Sequence, residues 1–252
     1  MHNHKTIIEK ELGIPPDYQF KALRSRLYPQ ANWHNNKLIV LKKILQPHKE
    51  MRILNLGAGS GNLELDLHPL VKEIVALDYN DDAMAFLKKK LKDKNIKNVK
   101  VRIKDITELH TLNEQELFDV ITMIDVIEHI ELEKIHKSIK IMKTLLKKNG
   151  RVCIITPNYK GPWSFLEYFL DKISLVPHFD GAQHIAKFDK HNIVNLFAMH
   201  DFKVECLKTF NLFSFLFPSK TISGLLVKGE TIPDMAYGNL LIAVFSPVKT
   251  KK

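Results

Sequence analysis

From Met51 onward, short apolar runs alternate with longer amphipathic stretches, and this alternation limits the possible folds more than any other feature of the chain. A short apolar run bounded by turn residues suits a strand buried on both faces. An amphipathic stretch between two such runs suits the crossover helix of a parallel pair. The spacing predicts strands at Arg52–Leu56, Glu73–Leu77, Val99–Ile103, Phe118–Ile124 and Arg151–Thr156, with helices at Ala83–Asp93 and Ile135–Lys147. Asn149-Gly150 predicts a left-handed cap closing the second of these helices. A doubly wound α/β fold follows.

Beyond Thr156 the rhythm changes to Pro157-Asn158, an aromatic run from Trp163 to Leu170, then Pro177 and Gly181. A helix at His191–Met199 and strands at Phe202–Phe210 and Leu240–Phe245 resume the pattern, and Leu212–Phe217 between those strands is too apolar for an ordinary solvated turn. Residues 1–50 predict helices that contribute to a cap, the clearest being Asn32–Leu45, stopped by Pro47. Residues 51–252 then form the main domain, with cap insertions near 158–183 and 209–236.

Cys153 and Cys206 both fall in strand-like apolar runs, where a reduced buried thiol is the ordinary occupant. With no signal-peptide core at the N-terminus and no sustained apolar span, the expectation is a cytoplasmic protein. A net charge of +10 invites a nucleic-acid reading. The excess nevertheless sits at Lys88–Lys104 and Lys140–Arg151, which read as solvated helix faces and ends, and no recognised nucleic-acid motif accompanies it.

The sharpest local signal is Asn55-Leu-Gly57-Ala-Gly59-Ser-Gly61, directly after a strand and before a helix. Glycines there let the backbone turn sharply and approach a ligand. A dinucleotide fingerprint requires glycine where this chain has Asn62, which disfavours a nicotinamide oxidoreductase. The following strands end in Asp78, Asp105 and Asp125, which in an open α/β sheet should converge on one crevice with the loop. Carboxylates gathered there need a cation or hydroxyl donors between them. Adenosylmethionine supplies a sulfonium and a ribose diol.

These residues resemble the class I adenosylmethionine-dependent methyltransferases, in particular the branch with the ubiquinone-biosynthesis O-methyltransferases, over roughly Met51–Phe202. The resemblance implies a mostly parallel, seven-stranded, Rossmann-like sheet with helices on both faces and a small apolar cap. It places Asn55, Gly57, Ala58, Gly59 and Gly61 at the methionine part of the cofactor and Asp78 at the ribose hydroxyls. Tyr79 and Ile106 then flank adenine, Asp105 meets its amine, and Ile124 and Asp125 lie beside the ligand. Family members usually begin the loop with Asp or Glu, so Asn55 lacks the charge that attracts the methionine ammonium.

Methyl transfer is an in-line displacement that needs positioning and, for a protonated nucleophile, a base. His129 and His184 are the candidates for that base. Asp125, Glu128 and His129, at helical spacing, together with His184 also offer a divalent-metal set like that of small-RNA 2′-O-methyltransferases. The preferred reading has no metal, with Glu128 and His129 capping and packing the helix. Trp163, Phe165, Tyr168, Phe169, Phe213, Phe215 and Phe217 suit a small apolar acceptor such as a quinone precursor, lipid or metabolite. An RNA acceptor, a non-catalytic cofactor-binding module and a weak membrane-surface association are the alternatives.

Overall fold

The computed structural model describes residues 15–112, 117–163, 184–233 and 237–248. Seven strands form one sheet in the order β3-β2-β1-β4-β5-β7-β6. They are β1 Arg52–Leu56, β2 Glu73–Asp78, β3 Val99–Ile103, β4 Phe118–Ile124, β5 Leu146–Pro157, β6 Phe202–Phe210 and β7 Leu240–Pro247. Strands β1 to β5 pair in parallel, and β7 runs antiparallel to both β5 and β6. The sheet is therefore mostly parallel, as expected, and the strand order reverses beside β1, with β2 and β3 on one side and β4 on the other.

Burial explains the uninterrupted apolar runs. β1 is buried at every position, whereas the edge strand β3 alternates and exposes Lys100, Arg102 and Ile103. Helices α1 Tyr18–Leu23, α2 Tyr28–Leu45, α3 Asn62–Leu67, α4 Asp81–Asp93, α5 Leu132–Leu145, α6 Lys190–Ala198 and α7 Lys220–Glu230 surround the sheet. Ile135, Ile139, Ile193 and Phe197 from α5 and α6 pack on Leu54, Leu56 and Met123 of one face. Leu38, Leu41, Leu63, Leu67 and Val227 from α2, α3 and α7 pack on Ile53, Ile74 and Val120 of the other. Alternate β1 residues feed the two layers, which makes the fold doubly wound.

One local expectation is corrected. Asn149-Gly150 does not cap a helix: α5 stops at Leu145, and both residues lie inside the long strand β5. Gly150 is needed for close packing there, since a Cβ would come within 2.9 Å of the Phe118 carbonyl oxygen. Within residues 209–233 the chain forms the end of β6, a 3-10 turn at Ser214–Leu216 and α7. Phe215 is buried in that turn, but Phe213 and Phe217 are exposed. Helix α1 lies in the N-terminal stretch expected to supply helices, and its Gln19 and Phe20 meet the glycine loop and α4. Phe165, Tyr168 and Phe169 lie outside the described residues.

Cys153 is buried, Cys206 is half-buried, and both are free thiols. Among the described residues, no helix is long and apolar enough to cross a membrane. The lysine-rich faces of α4 and α5 point outward, and Lys137, Lys143 and Lys147 are each held by a carboxylate from Glu133, Asp201 and Asp119.

Candidate active site

The loop from β1 to α3 lies at the carboxyl edge of the sheet, beside the point where the strand order reverses. Gly57, Gly59 and Gly61 all adopt positive φ, at 73°, 50° and 80°. A Cβ at Gly57 would collide with Val126, and one at Gly59 would lie 2.6 Å from the Gln19 amide oxygen. A chain of L-residues with side chains could not take this path. The loop is also tied inward, because the amides of Gly57 and Ala58 donate to the Leu77 carbonyl at 2.8 and 3.1 Å.

Asp78 organises the next corner. One carboxylate oxygen accepts from the Gly59 amide at 2.7 Å and the other from the Asn80 amide at 2.9 Å. Burial raises its pKa, the backbone donors of Asn80, Gly59 and Tyr79 oppose that rise, and the charge of Asp105 adds to it. Asp105 itself caps the turn at Ile106–Thr111 by accepting from the Thr107 amide at 2.7 Å. Ile106 packs against the core below, and Tyr79 keeps 40% of its surface exposed, where a flat ring can lie against it.

Asn55, Gly57, Ala58, Ile124 and Asp125 line one cleft together with Asn62, Leu63, Gln19, His34, Lys37 and Leu38. The last four come from α1 and α2, and nothing local in the sequence ties them to the glycine loop. Lys37, 5% exposed, forms an ion pair with Asp125. Crowding by protein groups, and then the Lys37 charge, push the half-buried His34 imidazole down to about 3, with Asp125 opposing. The acidic series is thus relieved by the chain itself, with backbone amides at Asp78 and a lysine at Asp125, so the converging carboxylates do not by themselves require a bound cation.

Asn55 is fully engaged. Its amide donates to Glu64 Oε1 at 2.7 Å and its carbonyl oxygen accepts from Thr122 Oγ1 at 2.8 Å. Glu64 has no exposure, and its Oε2 has no hydrogen-bond partner among the described residues. Burial raises the Glu64 carboxyl to about 7, outweighing the hydrogen bond from Asn55. Glu64 carries no mark in the sequence, because only the folded chain brings it against position 55.

Asp125, Glu128 and His129 do not share a helical face. Asp125 has φ 54°, and a single 3-10 turn at Ile127–His129 follows it, so the Asp125 carboxylate turns to Lys37 instead. Glu128, His129 and His184 do come together, each offering a ligand atom within 4.8 Å of the others. The Glu128 backbone carbonyl accepts from the Ala186 amide at 3.0 Å, which brings His184 to the turn. Glu128 is buried and accepts from Thr156 Oγ1 at 2.9 Å, and its pKa is raised by burial against the pull of His129. His184 Nδ1 meets the Tyr159 hydroxyl at 2.5 Å, and its ring lies 5.0 Å from that of His129.

The chemistry of the cradle is compatible with adenosylmethionine: a glycine loop at positive φ borders the cleft, Asp78 is a buried carboxylate tied to that loop, and Glu64, bonded to the cleft residue Asn55, keeps one carboxylate oxygen without a partner among the described residues. Comparisons with known proteins point the same way. A family model described as a methyltransferase domain matches residues 47–206. A ubiquinone biosynthesis O-methyltransferase of Glaesserella parasuis serovar 5 (strain SH0165) is 28% identical over 109 residues, 42% of this chain and 45% of the relative. The match thus spans less than half of that relative's length. In fold, the chain is similar to an S-adenosylmethionine-dependent methyltransferase from Clostridium acetobutylicum ATCC 824, with TM-score 0.60, 14% identity, and coverage of 96% and 99% of the two chains. It is also similar to the N-methyltransferase NodS of Bradyrhizobium japonicum WM9 with bound S-adenosyl-L-homocysteine, with TM-score 0.55, 14% identity, and coverage of 85% and 86%. With the family model covering most of the sheet and the whole glycine loop, this chain belongs to the methyltransferase-domain family, in its class I, adenosylmethionine-dependent form.

Proposed function

We propose that the chain is a cytoplasmic enzyme that moves a methyl group from adenosylmethionine to an oxygen or nitrogen of a small apolar acceptor. One observation carries this reading: a single cleft joins the glycine loop and the end of β4 to side chains from α1 and α2. Adenosylmethionine supplies a methyl carbon on a sulfonium, activated for displacement. Gly57, Ala58, Gly59 and Gly61 give the methionine part a close backbone surface, and Asp78 holds the ribose hydroxyls. Tyr79, Asp105 and Ile106 bound the adenine site, and Ile124 and Asp125 close the opposite side.

His129 and His184 take the acceptor's proton, with Glu128 and Tyr159 fixing the two rings. Their placement supports this role, since His129 lies in the turn that follows the cleft residue Asp125, and His184 lies 5.0 Å from His129 and 6.3 Å from Trp163 between ring centroids. Trp163 in turn packs 5.2 Å from Trp33, and Trp33 packs 5.1 Å from Phe215. This apolar wall suits a flat or aliphatic acceptor. The O-methyltransferase and N-methyltransferase names of the relatives support leaving both nucleophiles open.

Calorimetric titration tests the cofactor. The purified chain is expected to bind adenosylmethionine and not the nicotinamide dinucleotides, and Asp78→Ala is expected to lose that binding. Binding of a dinucleotide instead would overturn the reading. For the base, replacing both His129 and His184 by Gln should lower the methylation rate about 100-fold or more while cofactor affinity holds. A rate near that of the unaltered chain would remove the histidines from the mechanism.

A further inference from the structure

We propose that Glu64 supplies the negative charge at the methionine end of the cofactor site that Asn55 lacks, a role that rests on the adenosylmethionine reading above. Position 55 lies near the end of β1, buried in the lining of the cleft, and on the reading above it borders the methionine portion, which carries a cationic ammonium. Asn55 carries no charge to counter it, and its amide and carbonyl oxygen already bond to Glu64 and Thr122. Those commitments make sense only as a pair. An amide at position 55 donates to the carboxylate at position 64, whereas a carboxylate at 55 would set two acceptors of like charge against each other.

The charge has therefore been moved nine residues along the chain and not discarded. Glu64 is fully buried, and its second oxygen has no hydrogen-bond partner among the described residues. A bare carboxylate oxygen in a dry site is unfavourable unless a cation or donor answers it. Lys37, a cation that lines the cleft, is already held by Asp125. Asn55, Gly57 and Ala58 line the cleft and Asn55 donates to Glu64, so a cationic ammonium held against Asn55 lies one side chain away from the buried carboxylate. Thr122 fixes the Asn55 amide in the orientation that keeps Glu64 in place, so the three side chains act as one unit.

The test separates charge recognition from mere packing. The full chain is titrated calorimetrically with adenosylmethionine and with 5′-methylthioadenosine, which keeps the nucleoside and lacks the amino acid. Glu64→Gln should weaken adenosylmethionine about 10-fold or more, the effect of one lost charge-assisted contact, and leave methylthioadenosine within about twofold. The exchanged pair, Asn55→Asp with Glu64→Gln, should recover most of the loss, since it returns the carboxylate to position 55 and the amide to position 64. Unchanged adenosylmethionine affinity in Glu64→Gln would overturn the proposal. So would an equal loss of both ligands that the exchanged pair does not restore. If the unaltered chain bound neither ligand, the methyltransferase reading would fall as well, which distinguishes that failure from one confined to Glu64.

Discussion

The glycine loop between β1 and α3 is held in shape by its own backbone, whereas the wall that faces it is held by side chains distant in sequence. At the loop, three glycines at positive φ and amide bonds to Leu77 and Asp78 leave little for side chains to decide. In the facing wall, Asn36 of α2 donates to Asn211 at 2.7 Å and to Ser223 at 3.0 Å, and Asn32 donates to the Phe217 carbonyl at 2.7 Å. Glu230 at the end of α7 accepts from the Leu212, Phe213 and Ser214 amides. The lesson is one of tolerance. A backbone-built cradle accepts no added atoms, while a wall of helices can change its exposed residues freely and so adapt to an acceptor.

The largest effect follows from that contrast. Gly57→Ala must hold a left-handed φ, at about 1–2 kcal/mol, and also displace Val126, so cofactor binding should fall below detection by calorimetry. Gly229→Ala, in α7, meets nothing within 4 Å and should stabilise the chain by about 0.5–1 kcal/mol in urea unfolding. The contrast breaks if Gly57→Ala binds adenosylmethionine nearly as well as the unaltered chain.

Next comes the ion pair that joins the two regions. Lys37 is 5% exposed and Asp125 is 26% exposed, so removing either partner leaves a different charge behind. Asp125→Asn leaves a buried ammonium with only a neutral amide oxygen to answer it and should cost up to about 3–5 kcal/mol in urea unfolding. Lys37→Met leaves a carboxylate that still reaches water and should cost less. Equal losses for the two variants would mean that the pair is solvated and does not bind the wall to the cradle.

What is legible in the sequence divides along the same line. β1, β2 and β4 fall where the apolar runs place them because strands buried on both faces are near-continuously apolar, and the edge strand β3 is legible instead from its alternation. The glycine loop and Asp78 are legible because backbone geometry admits few residue types there. Helix α7 is hidden by Gly224 and Gly229 and by its β-branched residues, which weaken the local helix signal until Ser223 and Val227 are buried against α2. Lys37, His34 and Gln19 carry no sequence mark of their place in the cleft, because only the packing of α1 and α2 brings them there. Glu64 is the instructive case: Asn55 looks like a lost charge as long as position 55 is read alone.

That relocated charge has a consequence for stability in the ligand-free chain. Burial holds the Glu64 carboxyl at about 7 in the fold, against an ordinary value of 4.5. The folded chain therefore binds more protons than the unfolded chain between those values, and stability falls as pH rises through that window. From pH 5.5 to pH 8 the loss is on the order of 2 kcal/mol, since each pH step of one inside the window is worth about 1.4 kcal/mol. Glu64→Gln removes the titration, so its urea-unfolding free energy relative to the unaltered chain should improve by about that much between the two pH values. The same substitution is expected to weaken adenosylmethionine, so one residue would lower the stability of the empty fold and raise its affinity for the cation it awaits. A pH-independent difference between the two chains would show that Glu64 is already answered in the empty fold, and the cradle would then owe its charge to some other group.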